Sequence, residues 1–385
     1  MARRDLDSRA NRENSMNPAL TLPRLVFGPG KLATLPDELA LLGLRRPLLI
    51  SDRGLEAAGL VTRIRQAAPA IAALFLDVPE NPTVGGADGA AAVWRDNGCD
   101  SIIALGGGSV LDTAKLVAAL VTSGLDSAAD MIGRPDMITH HISPLIAIPT
   151  TVGTGSESSP VTALHLVAGG PSIGTRSSWL VPRVALCDPD LTRTLPPRLI
   201  AATGIDALSH CIEGYFANSE NPVIDALALD GAGRVIADIH RALLPEGDNA
   251  RASLLAAAYA GGVAIHNGLG PAHAIALACG DQDVHHGTMI AVALPHTTRL
   301  LEPHVPEKAA RLRMAMGLDE GAGIGAALQT LIASLGIPAT LSDAGYRMGL
   351  REPLVAAMVA SHFNRTSAYA PSPAEYGAIL DAIAG

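Results

Sequence analysis

Short apolar runs alternate with helical patterns through the first half of the chain: PLLISD (47–52), AALFLDV (72–78), SIIAL (101–105), LIAIPTT (145–151) and VALCD (184–188). That alternation predicts a mostly parallel sheet flanked by helices. After Thr192 the pattern becomes almost wholly helical, in Ala-rich segments such as VIDALALDGAGRVIADIHRALL and ARASLLAAAYAGGVAIH. TRTLPPRLI, with its two prolines, marks the joint. The expected organisation is an α/β domain over residues 19–192 and an all-helical domain over 193–385, with the site in the cleft between them. Residues 1–18 carry no apolar periodicity and read as a disordered tail, with Met16 as an alternative first residue.

Two stretches carry candidate chemistry. In SIIALGGGSVLDTAK (101–115) a β-type run meets Gly106, Gly107, Gly108 and Ser109, and a helical pattern then opens. Glycines let a ligand approach the backbone, and a helix N-terminus offers partial positive charge, so this turn suits a phosphate. It does not match the GxGxxG dinucleotide fingerprint. In TGIDALSHCIEGYF, Asp206 and His210 stand at i, i+4, one face of one helical turn. His273 and His286 bracket HAIALACGDQDVHHG further on. One carboxylate and three imidazoles make a shell suited to Fe²⁺ or Zn²⁺ and poorly suited to Ca²⁺ or Mg²⁺. A DxxxH pair alone is a weak signal, and His285 directly precedes His286. Glu213 falls on nearly the same helical face as His210 and can orient a ligand. His240, His304 and His362 have no partner in sequence and read as surface or core residues.

Composition narrows the classes. A net charge of −9 over 385 residues leaves no basic footprint for nucleic acid. Cys99, Cys187, Cys211 and Cys279 lack CxxC spacing and read as buried thiols in a reducing compartment. No long uncharged apolar run suggests a membrane span, and the polar opening lacks the apolar core of a secretory signal. A cytoplasmic enzyme, homodimeric or a higher homo-oligomer, is expected.

Taken together, the motifs resemble the iron-containing (group III) alcohol dehydrogenase family from about Arg24 to the C-terminus. GGGSVLDTAK is similar to that family's pyrophosphate loop, IPTTVGTGSESSP (148–160) to its threonine-rich cofactor turn, and the stretch 186–217 to its central signature. GPAHAIALACGDQDVHHG (270–287) resembles its second metal segment, and the family's histidine–glycine step selects His286 before Gly287. The resemblance implies an architecture like that of dehydroquinate synthase, with Asp206, His210, His273 and His286 as metal ligands. It implies Gly107, Gly108, Ser109, Asp112, Thr150, Thr151 and Thr154 at a dinucleotide, with Asp112 either capping its helix or holding the nicotinamide ribose side. Asp52, at the end of PLLISD, would accept from the ribose hydroxyls and repel a 2′-phosphate, which favours NAD(H) over NADP(H). The implied reaction is hydride transfer between NAD(H) and a small alcohol/aldehyde or ketone pair, with Fe²⁺ or alternatively Zn²⁺.

The chain departs from the family pattern in three places. Leu277 stands where many members carry a relay histidine, four residues after the third ligand. The segment between His273 and His286 is one residue shorter. Ser172 occupies the position where a lysine often approaches the cofactor, with Arg176 nearby. A maleylacetate-reductase-like enzyme is the nearest rival. A dehydroquinate-synthase-type lyase and a non-catalytic binding protein follow it.

Overall fold

The computed structural model describes residues 20–385 except 133, 168, 169, 171 and 283; the expected tail at 1–18 lies outside them. Among the described residues the first half supplies eight strands: β1 (Arg24–Phe27), β2 (Pro47–Ile50), β3 (Ala73–Phe75), β4 (Ser101–Gly106), β5 (Leu145–Pro149), β6 (Val161–His165), β7 (Ser172–Arg176) and β8 (Val184–Cys187). Six of them form one sheet in the order β1-β8-β5-β4-β2-β3, with every pairing parallel. The remaining two, β6 and β7, pair antiparallel as a separate hairpin.

Burial on both faces explains why the central strands are apolar throughout. All residues of β2, β4, β5 and β8 are buried. Successive side chains point to opposite faces. Leu48, Ile50, Ile102 and Ala104 therefore join one core layer, and Leu49, Ile103, Leu105 and Ile148 the other. The helices α1 (Leu35–Leu41), α2 (Arg53–Ala57), α3 (Leu60–Ala67), α4 (Val84–Asp96) and α5 (Gly108–Ser123) connect the strands. Leu35, Leu39, Leu60 and Ile64 cover one face, while Ala87, Ala91, Leu111 and Leu116 cover the other.

The chain leaves β8 through a turn at Pro189–Thr192 and enters α6 (Pro197–Phe216), with proline at the first helical position. Every residue from Ile200 to Phe216 is buried, so α6 is the axis of the helical half. Around it lie α7 (Pro222–Ala242), α8 (Asp248–Ala264), α9 (Pro271–Ala278) and α10 (His286–Leu301). Then come α11 (Pro306–Ala315), α12 (Ile324–Ser334), α13 (Arg351–Ala360) and α14 (Pro373–Ile383). The expected parallel α/β half and helical half are both present. β1 and the β6–β7 hairpin were not expected, because their runs are short and only partly buried.

The two halves meet through glycines that no other residue can replace without movement. A Cβ on Gly153 would fall 2.0 Å from the Thr203 carbonyl oxygen, and one on Gly262 would fall 2.0 Å from the Gly155 carbonyl oxygen. The turn after β5 is thereby pressed against α6 and α8.

Candidate active site

A cleft of about 2700 Å³ runs between the halves, and all twelve residues singled out from sequence line it or stand against its wall. On the sheet side they sit at the carboxyl ends of three adjacent strands. Asp52 follows β2, Gly107 and Gly108 follow β4, and Thr150 and Thr151 follow β5. The chain reverses its direction of travel across the sheet between β2 and β4, the place where open parallel sheets bind ligands.

Gly107 and Gly108 are packed against Thr151 and Thr154. A Cβ on either glycine would meet the facing threonine methyl at 3.0 Å. The Thr151 and Thr154 hydroxyls are buried and have no hydrogen-bond partner in the protein, a costly state unless a ligand supplies one. Orphaned hydroxyls beside the half-buried start of α5 therefore fit a phosphate-bearing cofactor. Ser109 instead donates its hydroxyl to the Glu80 carbonyl. Asp52 caps α2, with Oδ1 accepting from the Leu55 amide at 2.8 Å. Its neighbour Arg53 is held by Glu56 and Asp77.

Asp112 does not cap α5. Its Oδ1 accepts from the Ser156 hydroxyl at 2.5 Å and its Oδ2 from the Ala163 amide at 2.9 Å. One turn on, Lys115 is fully buried, donating to the Ser159 and Val161 carbonyls at 3.0 and 2.8 Å. Burial lowers its amine to about 8, against the opposing charges of Asp112 and Glu157. This lysine fastens the β6–β7 hairpin to α5, a role invisible in the sequence.

On the helical side, α6 places Asp206, His210 and Glu213 on one buried face. One ligand-capable atom from each of Asp206, His210 and His273 lies within 4.8 Å of the others. His286, the first residue of α10, reaches in from the edge. Its Nε2 is 3.8 Å from Asp206 Oδ1, the same separation as His210 Nε2, and its side chain is half exposed. The His210 and His273 rings stack at 5.0 Å, and His273 and His286 stand 5.6 Å apart. Gly287 explains the histidine–glycine step: a Cβ there would lie 2.5 Å from the Ala202 carbonyl oxygen of α6. A larger residue would push His286 away from Asp206.

The electrostatics of this cluster are unfavourable for protein alone. Burial, with the Glu213 charge second, pushes Asp206 up to about 8. Burial drives His273 down to about 3, and burial with the neighbouring imidazoles lowers His210 well below its ordinary value. Asp206 Oδ1 and His273 Nε2 are buried without hydrogen-bond partners. Inward-facing neutral imidazoles beside an unpartnered carboxylate fit a divalent cation of borderline softness. Glu213 fixes the arrangement. Its Oε2 accepts from the Gly270 amide at 3.0 Å and from His273 Nδ1 at 2.5 Å, and its Oε1 from the Ala272 amide at 2.7 Å. With Nδ1 donating, His273 must present its Nε2 lone pair inward.

Leu277, one turn beyond His273, also lines the cleft. His362, which sequence reasoning set aside, lines it too, in a short 3₁₀ turn with Phe363 and Arg365. His362, Phe363 and Arg365 lie far along the chain from every motif, and only the fold brings them in.

Residues 23–189 match the iron-containing alcohol dehydrogenase family, and residues 200–382 match the Fe-containing alcohol dehydrogenase family's C-terminal region. The chain is 38% identical to 4-hydroxybutyrate dehydrogenase of Cupriavidus necator, across 91% of this chain and 96% of that protein. Among solved structures, 1,3-propanediol oxidoreductase superposes with a TM-score of 0.87 at 29% identity, covering 94% of this chain and 98% of the other. Sulfoacetaldehyde reductase from Bifidobacterium kashiwanohense, in complex with NAD⁺, superposes with a TM-score of 0.88 at 25% identity, covering 95% and 98%. The chain belongs to the iron-containing alcohol dehydrogenase family and is an oxidoreductase of that family. No helix among the described residues is long and apolar enough to cross a membrane.

Proposed function

We propose that this enzyme moves hydride between NAD(H) and a short-chain alcohol/aldehyde or ketone pair, with a divalent metal held by Asp206, His210, His273 and His286. The observation that carries the reading is the convergence of Asp206, His210 and His273 on one point, with Asp206 Oδ1 and His273 Nε2 buried and lacking a hydrogen-bond partner in the protein. When bound, the metal, Fe²⁺ or alternatively Zn²⁺, supplies Lewis acidity toward the substrate oxygen and the nicotinamide supplies or accepts hydride. The protein's own work is placement. Gly107, Gly108, Thr150, Thr151 and Thr154 would receive the cofactor's phosphates, and Ser109 and Asp112 brace that wall of the cleft through Glu80 and the β6–β7 hairpin. Asp52 would offer the adenosine ribose the oxygen its cap does not use, where a 2′-phosphate would meet its charge. NAD(H) is thus favoured over NADP(H). Leu277 presents a hydrocarbon surface where a titrating side chain would otherwise stand.

The four cysteines are free and buried, consistent with a cytoplasmic enzyme. Exposed Leu25 and Phe27 on the edge strand β1 are consistent with assembly of like subunits. NADH oxidation by a panel of aldehydes, with metal content measured on the same sample, tests the reading. Turnover by metal-free protein would favour the maleylacetate-reductase-like alternative, and absence of any aldehyde reduction would favour the lyase type.

A further inference from the structure

Arg176 is unlike most arginines of this protein. Arg24, Arg53, Arg193 and Arg351 each meet a carboxylate. Arg176, on β7, lines the cleft and donates instead to two main-chain carbonyls, Ile265 at 2.9 Å and His266 at 2.7 Å. Those carbonyls belong to the turn leading into α9 and His273. Two of the five guanidinium N–H groups are thereby fixed in direction and three remain. Among the described residues no carboxylate lies within ion-pair distance of it. Its side chain is exposed to the open cleft, and the surrounding protein lowers its pKa with no opposing charge to raise it.

No carboxylate stands among the groups named near it. The Phe363 ring stands edge-on to His273 at 5.8 Å, and the His362 ring lies 4.1 Å from Phe363. Burial, then the charges of Arg365 and Arg176, depress the His362 imidazole. Arg365 also lines the cleft without an ion-pair partner. One aromatic ring away from the candidate metal ligands, the cleft wall thus offers a fixed guanidinium, a second arginine with no ion-pair partner, and an imidazole whose charged form is disfavoured but which can still donate one hydrogen bond. A fork of oriented N–H donors on the exposed wall of the cleft matches a carboxylate better than a hydroxyl.

We propose that Arg176, assisted by His362 and Arg365, forms an anion subsite that takes the carboxylate of an ω-hydroxy acid, or of the corresponding semialdehyde, while the other end of the substrate reaches Asp206, His210 and His273. This inference rests on the proposed function and narrows it to a substrate class. The reacting carbon is placed by a chain held at both ends, and a neutral alcohol of the same length is held at one.

The test compares 4-hydroxybutyrate with 1,4-butanediol, which keeps the chain and replaces the carboxylate by a neutral carbinol. Metal-loaded wild type, Arg176→Gln and Arg176→Lys are each assayed with NAD⁺, and butyrate binding is followed by calorimetry as a readout free of turnover. Wild type should prefer the hydroxy acid at least ten-fold in kcat/KM. Arg176→Gln should raise its KM about 10- to 100-fold, as expected for losing a charged hydrogen-bonding partner. The diol should change by no more than a few-fold, and butyrate binding should weaken in parallel. Arg176→Lys should recover part of the loss. Equal use of both substrates by wild type, or an equal loss on both in Arg176→Gln, overturns the subsite and leaves Arg176 as a tie between the hairpin and the Ile265–His266 turn. Turnover of neither substrate by metal-loaded wild type overturns it as well, and failure to bind metal at all places the fault in the underlying functional reading.

Discussion

Replacing Glu213 by glutamine should uncouple metal retention from the ligands themselves. Glu213 accepts three buried N–H groups, the Gly270 and Ala272 amides and His273 Nδ1, at 3.0, 2.7 and 2.5 Å. A glutamine has one acceptor oxygen and one donor nitrogen. If the oxygen faces Gly270 and His273, the nitrogen opposes the Ala272 amide. If it faces Ala272, the nitrogen opposes both the Gly270 amide and Nδ1. At least one buried donor is stranded in either orientation, at about 1–3 kcal/mol. In the second orientation His273 can relieve the clash only by moving its proton to Nε2, which removes the lone pair that faces Asp206. Glu213→Gln should therefore lower the melting temperature by a few degrees and weaken Zn²⁺ or Fe²⁺ binding about 10- to 100-fold. Competition with a chelator of known affinity measures the second effect and thermal melting the first. A variant with wild-type metal affinity and wild-type melting would refute the claim that Glu213 sets the His273 tautomer.

Gly287→Ala should cost about 1–3 kcal/mol of stability and reduce metal affinity, because its Cβ would sit 2.5 Å from the Ala202 carbonyl oxygen and displace His286; denaturant titration and metal content check both halves. Glu157 is buried, one of its carboxylate oxygens lacks a partner, and burial raises it from 4.5 to about 7. Between those values the unfolded chain holds fewer protons than the folded one, so stability falls as pH rises through that window and the penalty is complete above it. Glu157→Gln should therefore stabilise by up to about 3 kcal/mol at pH 8, with the gain vanishing near pH 4; a gain that does not depend on pH would contradict the reasoning. Asp52→Ser should narrow the preference for NADH over NADPH, read as kcat/KM for each cofactor. A wild type that prefers NADPH removes the basis for it.

The parts legible in the sequence share a cause. Strands buried on both faces, such as Ser101–Gly106, must be apolar throughout and announce themselves. β1 carries only four residues on a sheet edge and does not. Asp206 and His210 were readable because helical spacing puts them on one turn, while His273 and His286 needed family motifs, since no local pattern joins α6 to α9 and α10. Asp112 could be placed but not understood: its partners Ser156 and Ala163 lie more than forty residues away. His362 and Arg365 were illegible for the same reason, as a 3₁₀ turn near the C-terminus gives no periodic signal of the wall it completes.

The central claim is that Asp206, His210, His273 and His286 hold a metal on which activity depends. Elemental analysis of purified wild type and His273→Ala, joined to aldehyde reduction by the same samples before and after chelation, tests it most directly. The account predicts about one Fe or Zn per wild-type chain, loss of activity on stripping and recovery on adding the metal back. It also predicts neither metal nor activity in His273→Ala, with NAD⁺ binding retained because the glycine turn lies on the other half. Full activity in metal-stripped wild type, confirmed by elemental analysis, would contradict it.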